Sequence, residues 1–154
     1  MAFMRLRSQR TPLGATRLAE LVEHSISAIE SLTAVSPAEV TLDPDGEFTL
    51  GLFLTDVQSS VAHDDDQPGT YELLLYDVST DSAATVQVTP DHTDDGGFPV
   101  RQHGPRRLWD EAETAYTWWT EHGRPTRTRY GLTLTPDTQT VWLDDPDNTI
   151  AVSR

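Results

Sequence analysis

Cysteine and lysine are both absent from this chain of 154 residues, and its positive charges are unevenly placed. Without cysteine, the protein forms neither a disulfide framework nor a thiolate metal site. All eleven basic residues are arginine, and none lies between residues 18 and 100, a stretch with 17 aspartates and glutamates. Binding to a phosphate backbone requires clustered positive charge, so we expect no nucleic-acid partner.

Long hydrophobic runs are also missing. The longest, around residues 73–76, is far shorter than a membrane span. No apolar run of signal-peptide length follows the basic residues at the start. With 36% hydrophobic residues and a net charge of −14, the composition predicts a soluble, cytoplasmic protein without a membrane partner and with a modest core.

The first half of the chain predicts two helical segments and two strands. Residues 2–7 alternate as a strand does, and apolar residues at steps of three and four predict an amphipathic helix over residues 15–32. A second helix of one or two turns is expected after Ser36 and Pro37. Residues 43–46 have the composition of a tight turn. The apolar stretch 48–57 fits a buried strand or a short helix, and its threonines favour the strand.

The second half predicts two hairpins and one long helix. Residues 71–78 and 84–89 form the first hairpin, between two expected loops at 59–69 and 90–104. An apolar stripe from Leu108 to Trp119 predicts a helix that ends near Gly123. Residues 128–134 and 139–144 form the second hairpin. The expected fold is α+β, a small single domain with an antiparallel sheet and about two packed helices.

The region from Gly104 onward resembles a known family. The similarity lies in GPRRLWDE (104–111), AY (115–116), WW (118–119), GRP (123–125), YGLTLTPD (130–137) and VWLD (141–144). These segments are similar to the C-terminal accessory region of actinobacterial proteins related to protein-L-isoaspartate O-methyltransferase, which occur in pathways that modify ribosomally made peptides. Residues 1–14 then resemble the strand that ends the methyltransferase domain, and residues 15–154 the accessory domain.

The resemblance stops short of catalysis. In that family a separate N-terminal domain carries the S-adenosylmethionine site, in a glycine-rich turn between a strand and a helix. Here Gly96 and Gly97 are the only glycine pair, and no helical pattern follows them. We therefore expect no cofactor and no methyl transfer by this chain alone.

Three functions follow as hypotheses. The first is an accessory domain that recognises a peptide or docks on a separate methyltransferase in ribosomal-peptide modification. The second is a fragment of a methyltransferase-like enzyme whose cofactor domain is missing. The third is an acidic interaction or inhibitor protein that presents the arginine-free stretch to a basic partner.

Other chemistries have weak motifs. A calcium loop starting at Asp43 would need a glutamate at its twelfth position, where Leu54 stands. His63 with residues 64–66, and His92 with Asp94 and Asp95, could ligate a divalent ion, but a plain acidic loop is the commoner explanation. No serine lies in the Gly-x-Ser-x-Gly elbow of a hydrolase. We expect no catalytic residues and no metal site.

Aromatic and arginine residues are the candidate contact residues. Trp109 and Trp119 share the apolar stripe and should lie in the core. Trp118 is about 100° away, at the edge of the stripe, where it is either a core residue or a contact residue. Indoles and guanidinium groups suit an acidic peptide. The arginines concerned are Arg101, Arg106, Arg107, Arg124, Arg127 and Arg129. Of these, Arg106, Arg107, Arg124 and Arg127, together with Trp118, form the predicted partner-binding set. Pairing of the arginines with the chain's own acids is the alternative.

Overall fold

Two antiparallel sheets and three α-helices make up residues 28–91 and 96–151, which the computed structural model describes. The strands are β1 (Ile29–Thr33), β2 (Gln58–His63), β3 (Tyr71–Asp77), β4 (Ser82–Val88), β5 (Phe98–His103), β6 (Tyr130–Leu134), β7 (Gln139–Leu143) and β8 (Thr149–Ile150). The helices are α1 (Pro37–Leu42), α2 (Pro44–Phe53) and α3 (Leu108–Glu121), and a short 3₁₀ turn spans Arg127–Arg129. The predicted α+β class is confirmed.

The larger sheet has five strands in the order β1-β5-β4-β3-β2. The predicted hairpin of β3 and β4 is at its centre, with Leu73 opposite Val86 and Leu75 opposite Ala84. The smaller sheet has the order β6-β7-β8 and contains the second predicted hairpin. None of the described helices is both long and apolar enough to cross a bilayer.

The main core lies between one face of the larger sheet and the helices. Leu73, Val86 and Val100 point into it from three adjacent strands and are almost completely buried. The stripe of α3 covers them, because Trp109 and Ala112 belong to the same buried cluster. The prediction that Trp109 and Trp119 are core residues is confirmed, since they are 1% and 2% exposed.

A second, smaller core lies under the three-stranded sheet. Val141, Leu143 and Ile150 are its buried members. Helix α2 connects the two cores, because Leu50 belongs to the first and Leu52 packs against the second. A helix that contacts apolar residues on several sides has no polar face, and this explains why the sequence FTLGLF over residues 48–53 lacks the periodicity of an amphipathic helix.

Several predicted elements are wrong, and α2 is the clearest case. Residues 43–46 do not form a tight turn, because the Asp43 carboxylate accepts hydrogen bonds from the backbone N–H groups of Asp45 (2.9 Å) and Gly46 (3.2 Å). Asp43 is therefore an N-cap and Pro44 the first helical residue. The predicted strand over residues 48–57 is helical as far as Phe53.

Three strands form where the sequence predicts a helix or a loop. The end of the predicted helix 15–32 is β1, which pairs with β5 from Ile29–Gln102 to Thr33–Phe98. Strands β2 and β5 lie in the segments 59–69 and 90–104, which were expected to be loops. The predicted strand 2–7, the start of the predicted helix, and His92, Asp94 and Asp95 lie outside the described residues.

Candidate functional site

Helix α3 positions most of the candidate contact residues. Its first turn contains Asp110 and Glu111, whose negative charges interact favourably with the positive end of the helix dipole. The helix ends at Glu121, and Gly123 follows with a φ of +76°, a conformation that suits glycine. The predicted position of the helix end is confirmed. Arg124 continues the turn with a φ of +53°, so the chain reverses toward β6 directly after the helix.

Gln102 was missed by sequence reasoning because it was assigned to a loop. It lies on β5, is 3% exposed, and its Oε1 accepts a hydrogen bond from the backbone N–H of Trp109 at 2.8 Å. Its Nε2 donates to Asp110 at 2.8 Å. Gln102 thereby satisfies a donor at the start of α3 that Arg107, at the N-cap position, does not. Its role is to anchor the helix on the sheet.

Trp118 lies beside the buried stripe and is partly exposed. Its ring packs against Phe53 (centroids 5.3 Å apart) and Tyr130 (6.4 Å), at the boundary of the second core. The His122 ring stacks on it at 4.0 Å, and His122 Nδ1 lies 2.6 Å from the Trp118 carbonyl oxygen. The indole is held in place by three rings while part of it faces solvent.

The four indole N–H groups have different environments. Trp109 Nε1 donates to Glu113 (3.1 Å), Trp119 Nε1 to the Pro125 carbonyl (3.0 Å) and Trp142 Nε1 to Thr133 (3.1 Å). Within residues 28–91 and 96–151, Trp118 Nε1 has no acceptor. A partly exposed indole with an unused donor is typical of contact surfaces, where one end is apolar and the other is polar.

Arg124 lies over the neighbouring buried indole. Its guanidinium carbon is 5.4 Å from the Trp119 ring centroid, within the range of a cation–π contact. Its Nη2 is 3.3 Å from the Tyr116 hydroxyl, which donates to Glu39 at 2.7 Å. The hydrogen bond to Glu39 and partial burial raise the pKa of Tyr116. Arg124 forms no ion pair with any described residue and remains exposed.

Arg127 is the second exposed cation at this end of α3. Its backbone N–H donates to Asp45 at 2.9 Å, whereas its guanidinium Nε is 4.0 Å from the same carboxylate and 62% of its side chain is exposed. We call Trp118, His122, Arg124 and Arg127 the indole–arginine surface. These residues lie in or just after the last turn of α3, where the Trp118 ring and the Arg124 guanidinium contact different neighbours. Guanidinium groups of this kind bind carboxylates in a two-point geometry.

Arg106 has a different environment from the other predicted contact residues. Its Nε and Nη2 donate to the Glu111 carboxylate, and its Nη1 donates to Asp77 (2.8 Å) and to the Thr55 carbonyl (3.0 Å). The hydrogen bond to Glu111, opposed by burial and supported by Asp77, raises the pKa of Arg106. The alternative, in which arginines pair with the chain's own acids, therefore applies to Arg106. Arg106 connects Asp77 of β3 to Glu111 of α3.

The predicted contact residues are not all brought together. Arg106 and Arg107 precede α3, and the other three residues lie at or beyond its last turn. A helix of 14 residues separates the two groups by about 20 Å. Arg107 is partly buried, and its Nη1 lies 3.4 Å from the Gly104 carbonyl oxygen.

Two further arginines pair with acids. Arg129 makes a two-point contact with Asp144, at 2.8 and 2.7 Å, and Arg101 lies 3.0 Å from Glu30. Both pairs are largely exposed. Such pairs contribute little to stability, but they neutralise the cations concerned. Among the six central arginines, Arg124 is thus exposed without an ion pair in the described part of the chain, and Arg127 is exposed with only a long contact of 4.0 Å to Asp45.

The calcium-loop motif and one of the two histidine motifs lie in the described part of the chain. Asp43 caps α2, which accounts for the residues that resemble the start of a calcium loop. In the described ranges, 28–91 and 96–151, no three histidine, aspartate or glutamate residues are grouped so as to hold a metal ion. His63 packs its ring against Tyr71 with centroids 6.0 Å apart.

Comparison of the chain with protein-family models, with curated proteins and with solved structures finds no significant match.

Proposed function

We propose that this chain is a non-catalytic, cytoplasmic recognition domain that binds a peptide or a partner protein through its indole–arginine surface. The accessory role in ribosomal-peptide modification, with a separate S-adenosylmethionine-dependent methyltransferase as a possible docking partner, belongs to the same proposal. The observation that carries it is the partly exposed ring of Trp118, whose N–H has no acceptor among the described residues.

The chemistry of this surface favours an acidic segment. A guanidinium group that is already positioned over an indole loses less freedom when it binds a carboxylate. Arg124 is positioned in this way by Trp119, and Arg127 adds a second cation close by in the chain. The Trp118 ring supplies a rigid apolar contact area at a small cost in side-chain entropy. The predicted ligand is an extended or loop segment that presents two carboxylates beside an apolar residue.

Calorimetric titration of the whole chain with an Asp- and Glu-rich model peptide tests this proposal. We expect Arg124→Gln to weaken binding roughly ten- to hundredfold, because a hydrogen bond to a charged group is lost. Arg129→Gln is the matched control, since that arginine already pairs with Asp144. An equal effect of both substitutions would reduce the site to general electrostatics and contradict the proposal.

A second titration separates the accessory role from that of an enzyme fragment. Thermal stability is measured with S-adenosylmethionine, with its demethylated product, and with a candidate precursor peptide. We expect stabilisation by the peptide alone. Clear binding of either nucleoside would favour a methyltransferase-related catalytic function instead. A pull-down with a methyltransferase encoded nearby tests whether the domain docks on a separate enzyme.

A further inference from the structure

Strand β2 forms one edge of the five-stranded sheet. It pairs with β3 in unbroken register from Gln58–Tyr76 to His63–Tyr71. No described strand pairs with its other side. The backbone N–H and C=O groups on that side can therefore accept an added strand.

The edge of β2 lacks the features that usually prevent such pairing. Natural edge strands carry proline, lysine, an inward-pointing charge or a bulge. The sequence of β2 is QSSVAH, without proline and without Asp, Glu, Lys or Arg. The side chains of its four central residues are only partly exposed. The strand is regular, uncharged and six residues long, which is long enough to bind a peptide by main-chain hydrogen bonds.

The end of β2 is strongly acidic. Asp64, Asp65 and Asp66 follow the strand directly, and all three are exposed. They form no ion pair with the described residues. Asp91 lies at the same end of the sheet, since Pro90 packs near Gly69 in the loop after β2. No arginine or lysine lies between residues 18 and 100 of the sequence.

This charge distribution identifies the occupant. A second copy of the chain is disfavoured, because its acidic residues would approach an already negative molecule with a net charge of −14. A segment with lysine or arginine at the right end has complementary charge. In an antiparallel addition, the start of the bound strand lies opposite the end of β2. Its basic residues would then lie beside residues 64–66.

We propose that the edge of β2, which no described strand covers, binds an extended segment of another polypeptide by antiparallel strand addition, with basic residues at the amino end of that segment. This surface shares no residue with the indole–arginine surface, so either proposal stands if the other fails. Main-chain hydrogen bonds supply the common part of the affinity, and residues 64–66 select for the basic end.

The first test measures orientation. A fluorescently labelled peptide with three lysines followed by alternating threonine and valine is titrated with the whole chain, and anisotropy is recorded. A second peptide has the same composition with the lysines at the carboxyl end. We expect the first peptide to bind about tenfold more tightly. Equal binding of the two peptides, or binding of neither, would overturn the proposal.

The second test separates strand addition from simple charge attraction. Methyl groups are placed on alternate backbone nitrogens of the first peptide, in two versions of opposite parity. In a two-stranded ladder, only every second residue directs its N–H toward the neighbouring strand. We expect one version to lose binding and the other to keep it. The same affinity for both versions would contradict main-chain pairing.

The third test uses protein variants. Replacement of residues 64–66 by asparagine is expected to weaken binding of the first peptide about tenfold, an effect that salt should reduce. The triple control, Asp137→Asn, Asp145→Asn and Asp147→Asn, removes the same charge from other exposed positions. It also matches the local geometry, because Asp64 and Asp145 each accept a backbone hydrogen bond from the residue two places on. If both triple variants behave alike, the assignment of the acidic end is wrong.

Sedimentation of the unliganded chain is the final check. We expect a monomer, because two copies that each have a net charge of −14 repel one another. A dimer that the lysine peptide dissociates would replace the basic partner with a second copy and overturn the proposal.

Discussion

At the scale of single residues, Asp77 is the most constrained carboxylate described. It is 2% exposed and accepts hydrogen bonds from Ser79, Thr80 and Arg106. The hydrogen bond from Ser79, opposed by burial and supported by Arg106 and Thr80, holds the pKa of Asp77 well below its ordinary value. A carboxylate with a lowered pKa stabilises the fold above its unfolded pKa, and this stabilisation is lost as the pH falls through the folded pKa.

The substitution Asp77→Asn tests this residue. At pH 7 we expect a loss of about 2–4 kcal/mol in the free energy of unfolding, because Arg106 loses a partly buried charged partner. The difference from the unaltered chain should shrink as the pH falls below about 4, where the unfolded carboxyl becomes protonated. Urea unfolding at several pH values measures this.

The pH dependence of the unaltered chain alone does not isolate Asp77, because another acid changes the free energy of unfolding in the opposite direction. The difference between the unaltered chain and Asp77→Asn removes that contribution. Burial, partly offset by Arg101, raises the pKa of Glu72. Glu72 therefore favours the fold more as the pH decreases. A difference between the two chains that stays constant from pH 7 to pH 2 would show that the charge of Asp77 does not stabilise the fold.

At the scale of elements, the start of α2 depends on one capping side chain. Asp43 accepts two backbone hydrogen bonds there, whereas Ser36, at the start of α1, makes none with its side chain. We expect Asp43→Ala to lower the free energy of unfolding by about 1 kcal/mol. The matched control Ser36→Ala should change it by less than about 0.5 kcal/mol. Chemical denaturation measures both, and equal effects would contradict the capping role of Asp43.

The elements that the sequence predicts well are those with one solvent-exposed face and one buried face. Helix α3 has a single buried stripe, and the hairpin β6–β7 alternates around a turn closed by Thr135 and Thr138. Their periodicity survives in the sequence because only one face of each packs against the core.

The sequence predicts the wrong structure for elements that do not have one exposed face and one buried face. Helix α2 contacts both cores and loses its polar face, and the capping role of Asp43 was mistaken for a turn. Strand β2 is polar because it lies at an edge, and β5 contains Pro99 and Arg101. In such strands long-range pairing overrides local preference, so the pattern in the chain is weak.

One part of the candidate site was predictable from the helical periodicity of α3. Helical spacing separates Trp118 from Trp119 by about 100°, and this placed Trp118 at the edge of the stripe. Two partners of Arg106 were not predictable, because Asp77 and Thr55 lie far away in the chain. Which arginines remain exposed depends on such contacts, and spacing carries no information about them.

At the scale of the whole molecule, α3, which carries three of the four tryptophans, packs against both cores, as α2 does. Trp109 and Trp119 are buried, whereas Trp118 packs at the margin of the smaller core and faces solvent. Among the described residues, Asp64, Asp65 and Asp66 are exposed at the end of β2, and Arg124 and Arg127 are exposed just after α3. These exposed side chains carry charges of opposite sign, which suits recognition of more than one segment.

Nuclear magnetic resonance of the four indole N–H groups tests the central claim most directly. The whole chain is titrated with the Asp- and Glu-rich model peptide, and the resonance of each tryptophan is followed. We predict that the Trp118 signal shifts with the Arg124 guanidinium signal, while the signal of Trp109, bonded to Glu113, stays in place. Saturable peptide binding that leaves the Trp118 signal unchanged would contradict the account.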